Sequence, residues 1–278
     1  MPPAADPGPT PNRPARTPPE RTIKLTLAYD GANYAGWQVQ PRQPTVQAVC
    51  QRAIAKILGE EVDLVGSGRT DSGVHALAQV ASFDTRTKMP ADTLRRALDA
   101  NLPEDIAVLA AVDVRPGFHA RRDAVRKRYR YVIQDGRIAD VFRRRYAWHV
   151  RQTLDAERMH AAAQSLCGEH DFRSFESQCP NRASSVRTVT DASVARPADL
   201  PHLIYFEIEA NGFLYNMVRA IVGSLVEVGR GAQPAAWLAD VLAARDRDRA
   251  GMTAPAHGLF LVRVDYTEEW ETPPPPAD

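Results

Sequence analysis

Two stretches of this 278-residue chain carry the same order of hydrophobic patterns, and that repetition limits the fold more than any other feature. In residues 22–29 Ile23, Leu25, Leu27 and Tyr29 alternate with Lys24, Thr26 and Ala28, which predicts a half-buried strand. Residues 45–58 place Val46, Val49, Cys50, Ala53 and Ile57 on one helical stripe, and Gly59 ends the helix. Strands at 61–66 and 77–84, a helix at about 91–100 and a strand at about 106–114 complete the order β-α-β-β-α-β. The second half repeats it: strand 128–134, helix 155–167, strands at about 185–195 and 202–210, an apolar helix 214–229, and strand 259–266. A helix at about 234–245 is extra. The expected class is α+β, with two ferredoxin-like split β-α-β halves. Sheets joined edge to edge would leave a long cleft between them.

The ends lie outside this pattern. Eight prolines fall in residues 1–20 and four in 273–276, so 1–21 and 268–278 read as disordered Pro-rich tails. The halves are expected at 22–115 and 116–267. No stretch approaches the roughly 20 apolar residues of a membrane helix, and the N-terminus lacks a secretory h-region. No membrane partner is expected, and the expected location is cytoplasmic. The three cysteines, Cys50, Cys167 and Cys179, are odd in number and widely spaced, which argues against disulfides. Cys167, His170 and Cys179 lack an evident fourth metal ligand, and reduced thiols are the simpler reading.

Net charge is only +1, but its distribution is uneven. Residues 115–151 hold twelve Lys/Arg against three Asp/Glu, a local charge of +9. Arg121, Arg122, Arg126, Lys127, Arg128, Arg130, Arg143, Arg144 and Arg145 are interleaved with Phe118, Tyr129, Tyr131, Phe142, Tyr146 and Trp148. Arginine forks suit phosphate oxygens and aromatics stack on exposed bases, so the segment suits RNA; a solvated basic face is the plain alternative. Arg121, Arg126, Arg128, Arg143 and Arg144 are the candidate backbone contacts.

Nucleotide-binding glycine loops, H-E-x-x-H and G-x-S-x-G are all missing. The unusual string is Gly66-Ser67-Gly68-Arg69-Thr70-Asp71-Ser72-Gly73-Val74-His75-Ala76, set between two expected strands. Its glycines permit close backbone approach, and Arg69 beside Asp71 would keep a carboxylate ionised for nucleophilic or base chemistry. An ordinary Asx turn is the alternative. Arg219 interrupts an apolar helix with no carboxylate three or four residues away. If buried it needs an anion, Asp71 or a phosphate; otherwise it snorkels to solvent. Tyr129 and Tyr131 share a strand face, and either could be a core residue or stack on a base.

Gly68-Arg69-Thr70-Asp71-Ser72-Gly73-Val74-His75-Ala76 resembles the signature loop of the tRNA pseudouridine synthase A family. Tyr29-Asp30-Gly31 with Gly36-Trp37-Gln38, Phe118-His119-Ala120-Arg121, and Lys127-Arg128-Tyr129-Arg130-Tyr131 agree with it. So do Asp171-Phe172, Asn211-Gly212-Phe213 through Met217-Val218-Arg219, and Gly258-Leu259-Phe260-Leu261-Val262, so that the likeness runs from about residue 22 to 266. The resemblance implies isomerisation of uridine to pseudouridine at positions 38, 39 and 40 of the tRNA anticodon stem-loop, without cofactor or metal. It implies two ferredoxin-like halves around a cleft and, usually, a homodimer. Asp71 matches the family nucleophile, Arg69 and Arg219 its neighbours, Tyr129 the tyrosine on the target base, and Leu259 an apolar neighbour.

The chemistry suits one carboxylate. A glycosidic N–C bond breaks, the base rotates and a C–C bond forms, with nothing oxidised. Whether Asp71 attacks the sugar, adds to the ring or removes a sugar proton stays open. The base must leave its stack, so Arg69 is expected to fill the vacated space or hold a phosphate. Tyr129 would stack on the uracil and help remove the ring proton. Two rivals remain: an RNA-binding or chaperone protein that needs no Asp71, and an aspartyl hydrolase that needs no basic segment.

Overall fold

The computed structural model describes residues 21–177 and 184–271. Most of the two Pro-rich ends and Cys179 lie outside these residues. The first half runs β1 (Arg21–Tyr29), α1 (Val46–Leu58), β2 (Val65–Gly66), β3 (His75–Thr85), α2 (Ala91–Asp99) and β4 (Ile106–Val114). Ile23, Leu25 and Leu27 are buried, as the alternation requires. The second half runs β5 (Arg126–Asp135), β6 (Trp148–Val150), α3 (Ala156–Ala163), β7 (Gly168–Asp171), β8 (Val186–Ala195), β9 (Leu203–Ala210), α4 (Met217–Gly229), α5 (Trp237–Ala244) and β10 (Leu259–Asp265). A final turn, α6 (Glu268–Glu271), follows.

The fold is α+β with one mixed sheet, ordered β4-β1-β3-β10-β5-β9-β8-β7. The ferredoxin-like order recurs as β4-β1-β3 with β2 on β3, and as β10-β5-β9-β8. The seam is a short parallel pair, Phe260 opposite His75 and Leu261 opposite Ala76. Further along the same edge of β3, β2 pairs antiparallel through Val65–Ser82 and Gly66–Ala81. The edge of β3 therefore forks, and the loop between β2 and β3 sits in the fork.

Several boundaries differ from the sequence reading. The strand expected over 61–66 is two residues long. Helix 214–229 begins at Met217, because Asn216 before it has φ 61° and cannot be helical. Strands β6 and β7 were not expected; at three and four residues they are too short to show periodicity. Residue 21, placed in the tail, opens β1, where its guanidinium bonds Asp113 and the carbonyl of Met89 at 2.6 Å. Trp270 of α6 lies past the expected end at 267 and packs on Phe118 at 5.4 Å.

Alternation puts Arg126, Arg128 and Arg130 on one face of β5 and Lys127, Tyr129 and Tyr131 on the other. The arginine face is matched by acids. Arg128 meets Asp191 at 2.8 Å, Glu207 at 3.2 Å and Glu209 at 3.1 Å. Arg130 meets Glu207 at 2.6 Å, and Arg126 lies 3.8 Å from both Glu209 and Asp265. Register explains it: Arg128 stands opposite Glu209, and Arg130 opposite Glu207.

Burial pushes the Glu209 carboxyl up, but Thr190, Arg128 and Arg126 outweigh it and hold the group below its usual 4.5. Its stabilisation is therefore complete above the unfolded value and is lost as pH falls through the lower native one. Exposed Arg126 and Arg263, the latter 2.9 Å from Glu209, are screened, which leaves half-buried Arg128 as the main partner. We expect Glu209→Gln to lower stability by about 1–3 kcal/mol at pH 7. The difference should shrink at pH 3, read by urea unfolding at both values.

Candidate active site

Asp71 sits on the loop in the forked edge. That loop is pinned from three directions. Trp37 N donates to the Thr70 carbonyl at 3.0 Å, and Gly73 N donates to the Tyr34 carbonyl at 3.3 Å. The Tyr29 and Thr70 hydroxyls share a 2.8 Å hydrogen bond. From β3, Gln79 Nε2 donates to the Gly68 carbonyl at 3.0 Å, while its Oε1 accepts from Ser67 Oγ at 2.6 Å. The buried side chains of Ser67, Thr70 and Gln79 thereby find partners, and the carboxylate has a rigid base.

Gly36 lets the two segments touch. Its φ is +91°, and a Cβ there would stand 2.4 Å from the Thr70 carbonyl oxygen. Gly36→Ala therefore combines left-handed strain, about 1–2 kcal/mol, with a clash against immobile backbone. We expect a lower melting temperature and at least a tenfold loss of turnover. Unchanged turnover would mean that the Asp71 loop need not hold this position.

Asp71 faces a cleft of about 990 Å³ between the halves. Arg219, in the first turn of α4, approaches Asp71 Oδ2 to 3.7 Å through Nη1. Arg219 is itself clamped: Nε donates to the Ala254 carbonyl at 2.7 Å and Nη1 to Asn216 Oδ1 at 2.8 Å. Asn216 in turn donates to Ser177 Oγ at 2.9 Å. The apolar helix thus carries a cation whose partner comes from the other half of the chain, one of the two anions that the sequence left open.

Burial pushes the Asp71 carboxyl above its ordinary 3.8, and the charge and hydrogen bond of Arg219 oppose that rise. Arg69, expected beside it, is exposed and reaches Gln38 Oε1 at 3.3 Å instead. Tyr129 lines the cleft and meets Phe213 edge-on at 5.0 Å. Burial raises its phenol pKa, with Tyr29 and Asp71 adding to the effect, so the group is held protonated. Leu259 supplies an apolar part of the wall.

Other residues fall elsewhere. Tyr131 is a core residue whose hydroxyl donates to the Pro255 carbonyl at 2.7 Å. His75, close to Asp71 in sequence, is buried and stacks on Phe260 at 4.8 Å. Of the five arginines expected on the RNA backbone, Arg121 borders the cleft. Arg126 and Arg128 face the acids of β8 and β9. Arg143 pairs with Asp140 at 3.2 Å, and Arg144 is exposed and donates to the Val141 carbonyl at 2.7 Å. Phe213 and Lys127 also line the cleft, although the sequence reading gave neither a site role of its own. The signal for Lys127 was its place two residues before Tyr129 on one strand face. Among the described residues no group of His, Cys, Asp or Glu is arranged to hold a metal ion, and no helix is long and apolar enough to cross a membrane. His170 Nε2 is 2.9 Å from the Cys167 carbonyl.

Two fused ferredoxin-like halves with a lone aspartate in the fork between them define the class, and sequence comparison agrees. A family model described as tRNA pseudouridine synthase matches residues 26–122 and 162–267. The chain belongs to the tRNA pseudouridine synthase family. Its relatives include the tRNA pseudouridine synthase A of Moorella thermoacetica, 52% identical over 88% of this chain and 99% of that one. The protein of that name from Thermoanaerobacter sp. (strain X514) is 48% identical over 88% of this chain and all of its own. That of Halalkalibacterium halodurans is 46% identical over 89% and 93%.

Proposed function

We propose that this chain isomerises uridine to pseudouridine in the anticodon stem-loop of tRNA, at positions 38, 39 and 40, with Asp71 as the reacting carboxylate. The observation that carries this reading is Asp71 itself: a carboxylate on a pinned loop, facing a cleft and paired with Arg219. A merely structural turn would not place a half-buried ion pair at the seam between two halves.

The base is extracted from its stack into the cleft. Tyr129 stacks on it and Leu259 closes its apolar side. With Asp71 ionised, its carboxylate opens the glycosidic bond by attack on sugar or ring, or by removing a sugar proton. The uracil then turns and rejoins through carbon five, any bond to Asp71 breaks, the proton on carbon five passes to solvent, and ring nitrogen one takes up a proton. Because burial keeps the Tyr129 phenol protonated, this residue serves by stacking and donating a hydrogen bond rather than as a phenolate. Arg69, exposed at the cleft, fills the space left by the base or holds a phosphate. Arg121, Arg143 and Arg144 grip the backbone. Arg126 and Arg128 first serve the acid network and contact RNA only at its margin. No cofactor or metal is assigned. The boundary between the halves falls at 115/116, and the working form is a cytoplasmic homodimer.

The test uses tRNA with uracil tritiated at carbon five. We expect tritium release, lost site by site as uridines 38, 39 and 40 are replaced by cytidine. Binding without release would leave an RNA-binding protein and refute the proposal.

A further inference from the structure

Lys127 differs from every other cation of β5. Arg126, Arg128 and Arg130 have carboxylate partners on the far face of the sheet. Lys127 points the other way and lines the cleft with Asp71 and Tyr129. Its ammonium donates one hydrogen bond, to the Ser67 carbonyl at 2.6 Å, four residues before Asp71. Among the described residues no carboxylate pairs with it. Its charged neighbour is Arg121, a second cation. Burial, and then Arg121, push the ammonium down to about 8. A half-buried cation beside a like charge is a poor arrangement for an empty protein. It becomes a good one when an anion enters.

The local backbone is shaped around this ammonium. A Cβ at Gly68 would stand 3.1 Å from Lys127 Nζ, so glycine lets the ammonium lie against the loop. An ammonium has three N–H donors, and one is used on Ser67. Two remain for a ligand in the cleft. Asp71 is engaged by Arg219, and a neutral uracil carbonyl would not balance the charge. A phosphodiester would, and Arg121 beside it offers a second set of donors.

We propose that Lys127, with Arg121 beside it, is the phosphate subsite of the cleft, holding a backbone phosphodiester that flanks the extracted uridine while the base lies against Tyr129 and Asp71. This inference rests on the uridine-isomerase reading above. It makes Lys127 a substrate-binding residue of the catalytic cleft, distinct from the peripheral arginines that hold the rest of the tRNA.

The test removes charge from either side of the contact. Anticodon stem-loops are made with a single neutral methylphosphonate 5′ or 3′ of the target uridine. Their affinity is compared with that of the native RNA for wild type, Lys127→Gln and Lys127→Arg. Wild type should lose roughly ten- to hundredfold in affinity at one of the two positions. Lys127→Gln should lose a similar factor on native RNA and no longer distinguish the methylphosphonate. Its salt dependence should flatten by about 0.7–0.9 in the slope of log K against log salt, as for one lost phosphate contact. Lys127→Arg should restore part of the discrimination.

If Lys127 only braces Ser67, Lys127→Gln will slow turnover on both RNAs and keep the wild-type ratio between them, which overturns the proposal. If neither methylphosphonate weakens wild-type binding, the proposal also falls, with no variant needed. Failure of the parent reading looks different: wild type would then release no tritium from native tRNA.

Discussion

Asp71→Ala abolishes tritium release from tRNA labelled at uracil carbon five, while the variant still binds that tRNA. The expected loss is at least about 10³-fold, the scale on which removal of a reacting nucleophile falls. Binding persists because Lys127, Arg121 and the aromatic wall are untouched, and because the loop is held by Thr70, Gly68 and Gly73 rather than by the Asp71 side chain. Release by the variant at the wild-type rate would keep the enzyme class but remove Asp71 from the chemistry. Loss of binding together with activity would point to a loop that has collapsed. Circular dichroism and the melting curve distinguish that outcome from a chemical one.

Arg219→Gln is the second large effect. Burial raises the Asp71 pKa above 3.8, and Arg219 is what restrains the rise. The wild-type rate should therefore fall with decreasing pH along a limb whose midpoint lies above 3.8, since the ionised form reacts. Removing the guanidinium leaves burial unopposed, so the midpoint should move to higher pH. The pair is half-buried, so the loss at neutral pH should be on the order of 10²-fold, the scale of removing one preorganised polar partner from an active site. Part of the loss should return as pH is raised. Asn216→Ala should shift the limb in the same direction by less, because Asn216 acts on Asp71 through Arg219. An acid limb that does not move in Arg219→Gln would mean that this arginine serves the substrate and not the aspartate.

The acidic partners of β5 show where reading a sequence stops. Arg126, Arg128, Arg130 and Lys127 are four cations in five residues, and on one dimension they look alike. In three, the period of two sends the arginines to one face and Lys127 to the other. Glu207 and Glu209 are visible as the polar alternates of a strand. That they stand opposite Arg130 and Arg128 depends on register across about 80 residues of chain. Tyr129 and Tyr131 give the same lesson on a smaller scale. They share a face, yet one borders the cleft and the other is sealed beneath Pro255.

Arg219 was legible as an anomaly because an apolar helix seldom carries an unpaired cation. Its partner was narrowed to two anions, and packing of α4 against the fork chose the protein carboxylate. Arg69 was read as a neighbour of Asp71 because two positions separate them in sequence. The loop between β2 and β3 bends and turns rather than running as a strand, so an i, i+2 spacing does not keep the two side chains together, and Arg69 faces solvent and Gln38.

The sequence by itself determined the order of strands and helices, the duplicated half and the glycine-rich loop that bears Asp71. These follow from local propensity and the periods of burial, which neighbouring residues set among themselves. Tertiary structure alone decided the fork in the edge of β3, the pairing of Asp71 with Arg219, the retirement of Arg128 into an acid network and the isolation of Lys127 in the cleft. Each of these joins residues far apart in the chain, and their energies come from burial and charge at close range, quantities that exist only once the halves have met.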